Sequence, residues 1–341
     1  LIIYTSGTTG KPKGVVLSHA NLVSNARQIF TLAAGFLSER DVVMNPLPAF
    51  HSFGLTAALL MPLFHGMKVV LYPSPLHYKQ VPKLIGETGC TFLFATDTFL
   101  QGYARAAEPD DLRSVRYVVA GAERVKPDTR RMWAPYGTTI LEGYGCTECS
   151  PVLACNTPVA TREGSVGRLL PGIEARLEPV EGITEGGKLC VRGPNIMAGY
   201  LSADEPGKLI SPEGGWHDTG DIVAIDDGFI VIKGRAKRFA KLGGEMVSLA
   251  AVESMVAGLW PGHNHVVVSL PDPRKGEQLV LVSENPNADR AALQAVAKEQ
   301  GFPELWVPRA ILVTAAIPVL GNGKIDYGAT RELAASRRSL L

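Results

Sequence analysis

Thr5, Ser6, Gly7, Thr8, Thr9, Gly10, Lys11 and Lys13 fall within one stretch, Tyr4 to Gly14, that holds three Gly, four aliphatic hydroxyls and two Lys but no carboxylate. Gly lets a backbone approach a ligand closely, and its N–H groups then point outward as donors. The hydroxyls add donors without charge, and the lysines add point charges. Such a loop suits a polyphosphate. It is not a Walker loop, which needs G-x-x-x-x-G-K-[ST]. Here Lys11 follows G-x-x-G and is itself followed by Pro12. Composition alone also fits a flexible turn.

Further along, several residues could serve the same ligand, each with a plain structural alternative. His51 stands between Phe50 and Phe53, where a lone His is more often a satisfied core residue than a catalyst. Gly121-Ala122-Glu123 ends an apolar run, at the carboxyl end of a strand, where open α/β sheets bind ligands. Gly143 and Gly145 flank Tyr144, which clears space for stacking on a flat base. Thr147 can donate to a phosphate, and Glu148 can hold Mg²⁺, a hard cation that prefers oxygen ligands. Asp221, in Thr219-Gly220-Asp221, could accept both hydroxyls of a ribose or simply face solvent in a turn. Lys324 follows an Asn-Gly turn.

The elements that must position these residues alternate. Leu1 to Tyr4 forms a strand feeding the loop, and Ser18 caps a helix whose Leu22, Ala26, Ile29, Phe30 and Ala33 share one face. Strands follow at 41–44, 67–72, 91–95 and 115–120, with helical spacing at Val81, Leu84, Ile85 and Thr88. This alternation marks a parallel sheet covered by helices. Further strands are expected at 188–192 and 229–233. The last hundred or so residues predict a small α+β unit, with helices capped by Ser248 and Asp289, the latter closed by Gly301, and strands at 265–269 and 278–283.

The chain has 341 residues, 46% of them hydrophobic and 20% charged, and a net charge of +1. That fits a globular protein of about two domains. Near-neutral charge argues against nucleic acid as a partner. Of five Cys, Cys146 and Cys149 have C-x-x-C spacing, but no second pair or matching His pair follows, so reduced cytosolic thiols are expected. The longest apolar run, Leu55 to Phe64, is about half the length of a membrane span. No signal peptide is visible, and the chain opens on Leu1 without Met, as part of a longer protein would.

The string Thr5 to Gly14 resembles the phosphate loop of the adenylate-forming superfamily of acyl-CoA synthetases, luciferases and peptide-synthetase adenylation domains. The Y-G-x-T-E string at Tyr144 to Glu148, the T-G-D at Asp221, and Gly234-Arg235-Ala236-Lys237 stand in the order that family requires. The resemblance implies an α/β fold: a truncated large adenylation domain over residues 1–236, with parallel-sheet layers and a small β subdomain, then a small mobile α+β domain over 237–341. It implies ATP and Mg²⁺ as cofactors, with the loop on the β- and γ-phosphates and Gly121 to Glu123 beside the adenine. Glu148 would hold the metal, His51 would lie near the acyl carboxylate, and Asp221 and Arg235 would reach the ribose. Lys237 would be the hinge and Lys324 the catalytic lysine of the first half-reaction. The Lys241, Gly243, Gly244 loop would replace Lys324 when the small domain turns for thiol attack.

Within the superfamily, Gly234 to Lys241 and Gly244 to Leu249 are similar to one branch, the acyl-[acyl-carrier-protein] synthetase half of a bacterial bifunctional enzyme that is also a 2-acylglycerophosphoethanolamine acyltransferase. That implies a fatty acid substrate, acyl carrier protein or CoA as acceptor, and a lysophospholipid partner in a parent protein at the cytoplasmic face of the bacterial inner membrane, this fragment itself being soluble. Arg238 stands where most acyl-CoA ligases carry an acidic residue, and the basic run Lys233, Arg235, Lys237, Arg238, Lys241 suits an acidic carrier protein or the phosphates of CoA. A fatty acyl-CoA ligase is the nearest alternative; a non-catalytic nucleotide-binding module is the alternative of another class.

Overall fold

The computed structural model describes residues 1–5, 12–183, 185–202, 204–273, 276–319 and 325–337. Contacts divide the chain into two units. The first comprises Leu1–Glu178, Leu189–Thr219 and Ala224–Ile232; the second comprises Pro179–Lys188, Gly220–Val223 and Lys233–Leu341. The boundary expected at Lys237 falls within the second unit.

In the first unit, β1 (Ile2–Thr5) and β2 (Lys13–Val16) pair antiparallel with Thr5 opposite Lys13. The stretch expected to bind phosphate therefore lies between the two strands of a hairpin. α1 (His19–Ala33) follows, and Ser18 and Asn21 cap it reciprocally. Then come β3 (Val42–Asn45), a π-helical stretch Phe53–Leu60 running into α2 (Met61–Phe64), and β4 (Lys68–Leu71). Next are α3 (Gln80–Thr88), β5 (Phe92–Ala95), α4 (Asp97–Ala106), β6 (Tyr117–Ala120), α5 (Pro127–Trp133) and β7 (Thr139–Gly145). Strands β4, β3, β5, β6 and β7 lie in that order and are all parallel. Every residue of β5 is buried, as expected of a strand covered by helices on both faces. One core packs Trp133, Tyr103, Leu100 and Ile85 on the sheet; another packs Ala26, Met61 and Phe53 against Phe92 and Phe94.

After β7 the chain turns back into β8 (Val152–Cys155) and β9 (Arg168–Leu169), antiparallel to their neighbours. The sheet is completed by β10 (Glu174–Glu178), β11 (Gly187–Arg192), β14 (His217–Asp226) and β15 (Phe229–Arg235). Two strands between them leave for the hairpin: β12 (Gly199–Ser202) pairs antiparallel with β2, and β13 (Leu209–Ile210) pairs with β12.

The second unit has its own five-stranded sheet. It holds β16 (Phe239–Leu242), β17 (Glu245–Ser248), β18 (His265–Asp272), β19 (Gly276–Ser283) and β20 (Ala310–Val313). Side chains alternate along β18 and β19. Val267, Leu279 and Leu281 face α6 (Leu249–Leu259) and α7 (Arg290–Glu299), while Val266, Val268, Val280 and Val282 share a core with Ala334 of α8 (Tyr327–Ser336). Ser248 and Asp289 cap α6 and α7, as expected. Among the described residues, no helix is long and apolar enough to cross a membrane.

Candidate active site

The first unit brings the base of the phosphate loop to the Thr147–Glu148 turn through a residue that sequence reasoning did not single out. Tyr200, on β12, donates its hydroxyl to Glu148 Oε1 at 2.7 Å. The Lys13 ammonium sits 5.3 Å above the Tyr200 ring. Burial, then the Glu148 charge, push the Tyr200 phenol well above its usual range, so it stays a donor. Backbone bonds hold the same junction: Met197 N–H donates to Glu148 O at 2.8 Å and Ala198 N–H to Val16 O at 2.9 Å. Of the loop itself, Ser6, Gly7, Thr8, Thr9, Gly10 and Lys11 lie outside the described residues; Thr5 and Lys13 close its base.

Thr147 and Glu148 open a short 3₁₀ turn that follows β7 at the carboxyl end of the parallel strands. Buried Ser52 donates to Thr147 Oγ1 at 3.4 Å, so the His51 segment reaches this turn. His51 is exposed, against the expectation of a core histidine, and Phe50 beside it is 83% exposed. His51 Nδ1 accepts the Phe53 N–H at 3.3 Å, which leaves the proton of the neutral ring on Nε2.

Other expected residues are committed differently. Tyr144 is buried, at 8% exposure. Gly145 is explained by backbone rather than by room around that ring: a Cβ there would lie 1.9 Å from Pro151 O, where the register of β7 and β8 shifts. A Cβ at Gly143 would meet only ordinary contacts, 3.5 Å or more away. Gly121 lies against Phe53, which a Cβ would meet at 3.1 Å, and Ala122 holds a left-handed backbone with φ 65°. The Glu123 carboxylate accepts from Thr98 N–H at 2.9 Å and Thr98 Oγ1 at 2.8 Å, in the first turn of α4.

In the second unit, buried Asp221 and exposed Arg235 form an ion pair, Nε to Oδ1 at 2.9 Å. The two residues expected at the ribose thus meet each other. Lys237 sits in the 3₁₀ turn Ala236–Arg238 between β15 and β16. Gly243 (φ 58°) and Gly244 (φ 98°) form the two-residue turn between β16 and β17, which needs left-handed backbone at both positions. Lys324 lies outside the described residues. The chain on either side of it is pinned: Val319 bridges Ile325, Asp326 N–H donates to Pro318 O at 2.9 Å, and Asp326 caps α8.

The basic run does not form an unpaired patch. Lys233 meets Glu185 at 3.3 Å, Arg235 meets Asp221, Lys241 meets Glu181 at 2.7 Å, and Arg238 pairs with Glu253. Arg238 also donates to Val267 O at 3.1 Å and lies 3.9 Å over the Tyr327 ring. Burial pushes the Glu253 carboxyl up, and Arg238 opposes that shift. Spacing cannot reveal these partners, because Glu181 and Glu185 come from the loop between β10 and β11, and Asp221 and Glu253 from a strand and a helix well away in sequence.

All five cysteines are free thiols, as expected, but two of them have a neighbour that spacing did not show. The matching His absent near Cys146 and Cys149 in sequence is supplied by the fold. Cys146 Sγ lies 3.2 Å from Cys149 Sγ and 3.9 Å from Nε2 of His217, the first residue of β14.

Glu148 and Thr147 suit a magnesium-bound polyphosphate. Glu148 Oε1 accepts from Tyr200, and among the described residues its other oxygen accepts no hydrogen bond. One carboxylate with a hydroxyl beside it fits Mg²⁺, which is usually held by one or two carboxylates plus waters and substrate phosphate.

Residues 1–201 match the family model for AMP-binding enzymes. A feruloyl-CoA synthase from an Amycolatopsis species is 32% identical over 347 residues, covering 97% of this chain and 69% of the relative. A mitochondrial medium-chain acyl-CoA ligase of Danio rerio is 30% identical over 357 residues, covering 97% of this chain and 57% of that one. Among solved structures, O-succinylbenzoate coenzyme A synthetase from Bacillus subtilis, in complex with ATP and magnesium ion, superposes with a TM-score of 0.81 at 26% identity, covering 97% of this chain and 69% of that one. The chain belongs to the AMP-binding enzyme family.

Proposed function

We propose that this chain activates a carboxylic acid of the fatty or aryl class as an acyl adenylate and passes the acyl group to the thiol of CoA. The cofactors are ATP and Mg²⁺. The observation that carries this reading is the Lys13–Tyr200–Glu148 chain, which joins the strand leaving the phosphate loop to the turn that offers a hard oxygen ligand.

A carboxylate is a poor electrophile because its leaving group would be oxide. Its attack on the α-phosphate brings two anions together, so catalysis is mostly positioning and charge neutralisation. Glu148 would hold Mg²⁺, which would supply part of that neutralisation. The loop from Thr5 to Lys13 holds the β- and γ-phosphates, and Thr147 donates to a phosphate oxygen. Gly121 to Glu123 and Gly143 to Gly145 border the base, and Asp221 with Arg235 takes the ribose. His51 lies by the acyl carboxylate, and Lys324 bridges that carboxylate and the α-phosphate. Rotation at Lys237 then withdraws Lys324 and presents the Lys241, Gly243, Gly244 loop for thiol attack.

CoA is favoured as acceptor because the curated relatives described above are CoA synthases and ligases. The carrier-protein synthetase of a lysophospholipid-reacylating membrane enzyme is the finer reading that the Gly234 to Leu249 string supports. One assay separates them: pyrophosphate release from ATP and Mg²⁺ with a panel of acids, with CoA or acyl carrier protein added in parallel. Acyl-CoA formation is expected. Thioester on carrier protein alone would replace CoA as the acceptor, and no pyrophosphate with any acid would overturn the activation itself.

A further inference from the structure

We propose that Cys146, Cys149 and His217 form a binding site for a thiophilic divalent cation of the Zn²⁺ class, distinct from the Mg²⁺ proposed at Glu148. The two sulfurs and the imidazole nitrogen all lie within 4.8 Å of one another. In a tetrahedral site with Zn–S near 2.3 Å and Zn–N near 2.0–2.1 Å, ligand atoms stand about 3.5–3.8 Å apart. The separations here, 3.2 Å between the sulfurs and 3.9 Å from sulfur to Nε2, bracket that span. Small side-chain rotations would complete the geometry.

The ligand set is soft. Thiolates and imidazole select zinc or copper, whereas Mg²⁺ takes carboxylate and water. The backbone carrying the sulfurs is already fixed. Cys146 N–H donates to Pro151 O at 2.9 Å, Cys149 N–H to Cys146 O at 2.9 Å, and Asn195 Nδ2 to Cys149 O at 2.8 Å. Cys149 is fully buried and His217 is 6% exposed, so the cation would be desolvated on that side, while half-buried Cys146 leaves a way in. Three protein ligands leave a fourth position for water or another donor. On binding, each thiol gives its proton to solvent and a metal–sulfur bond forms; nothing is oxidised.

Thr147 and Glu148 lie between the two cysteines in one turn. A cation bonded to both sulfurs therefore fixes that turn. Fixing Thr147 and Glu148 in this way is expected to slow pyrophosphate release; that effect rests on the acid-activating reading, while the site itself is independent of it.

The full chain, reduced and without air, is titrated with Co²⁺. One equivalent is expected to give thiolate-to-cobalt charge-transfer absorption and tetrahedral d–d bands, displaced by Zn²⁺ and untouched by excess Mg²⁺. Cys146→Ser should weaken the bands, and His217→Gln should loosen binding by at least the about 10–100-fold seen when an outer-shell partner is lost. Cys190→Ser, a thiol outside the cluster, should change nothing. Circular dichroism of each variant checks folding, and Cys146 is the least buried ligand and so the safest to change. Absence of charge transfer in the unaltered chain, or bands that survive Cys146→Ser, would overturn the site. Pyrophosphate release in the same samples reports the slowing separately, so an inactive chain that binds Co²⁺ would sink the reaction and keep the site.

Discussion

Tyr200 donates its hydroxyl to Glu148 Oε1 at 2.7 Å, joining residues that lie far apart in sequence. The contact exists because β12 leaves the large sheet and pairs with β2, placing Tyr200 opposite Val15. The Glu148 carboxylate is therefore oriented by the same small sheet that carries the proposed phosphate loop. Replacing Tyr200 by Phe removes a hydrogen bond to a charged group, worth about 1.5–3 kcal/mol. The expected outcome is a loss of roughly 10–150-fold in pyrophosphate release at limiting Mg²⁺, partly recovered at high Mg²⁺. A Tyr200→Phe chain with unchanged Mg²⁺ dependence would remove Glu148 from metal binding.

Four of the five parallel strands, β3 to β6, and both capped C-terminal helices were legible in the sequence because they are local, whereas β7 was not read as a strand because its Glu-Gly-Tyr-Gly half is no apolar run. A short buried β-strand is a run of apolar residues, and a helix start is a Ser or Asp followed by helical spacing. The hairpin β1–β2 was half-read: Leu1 to Tyr4 carries a strand signal, but β2 is only four residues, Lys-Gly-Val-Val, and its other partner is β12. Tyr200, Ser52 and His217 were invisible for the same reason, since their roles depend on contacts across long stretches of chain. Gly145 was legible as a necessary glycine but for the wrong cause. The crowding atom is a backbone oxygen, Pro151 O, that only the fold brings near. The basic run showed in the sequence as charge, while its carboxylate partners did not.

Arg238 and Glu253 test how much of that run is structural. Their side chains are only 15% and 17% exposed, and Val267 bonds both through its N–H and carbonyl. Removing one member of a buried pair strands the other, at a cost of about 3 kcal/mol. Arg238→Ala is expected to lower the unfolding free energy of the second unit by that amount, with Arg238→Ala/Glu253→Ala less destabilised than the single change. A double-variant loss equal to the sum of the two single losses would mean that the pair is not coupled.

Stability should also fall on mild acidification, through His265. Its Nδ1 is 2.9 Å from Ser283 Oγ and its Nε2 is 3.0 Å from Trp260 O. Burial lowers its pKa from the usual value near 6.5; His263 adds to the shift, and the bond to Trp260 and the Glu284 charge oppose it. The folded state therefore keeps this ring neutral at a pH where the unfolded chain takes up a proton. The contribution is fully present above about pH 6.5 and is lost as the pH falls through that value towards the folded one. Urea melts at stepped pH should show the loss, and His265→Gln should flatten it. A midpoint that rises on acidification would contradict the sign.

Lys324 offers the sharpest division of the proposed reaction. Val319 and Ile325, on either side of it, form a bridge, and the chain leads into α8, whose first residue, Tyr327, stacks under Arg238 of the Ala236–Arg238 turn. A lysine that neutralises carboxylate and α-phosphate acts only while two anions are being joined; thiol attack on a finished adenylate needs no such bridge. Lys324→Ala is therefore expected to cut adenylate formation by about 10²–10³-fold, the scale of losing one donor to developing charge. Thioester formation from a supplied acyl adenylate should stay within a few-fold of the unaltered chain. Measuring pyrophosphate release and thioester formation separately distinguishes the outcomes. Equal loss of both half-reactions would make Lys324 a residue of general binding or folding, and the domain rotation at Lys237 would lose its purpose.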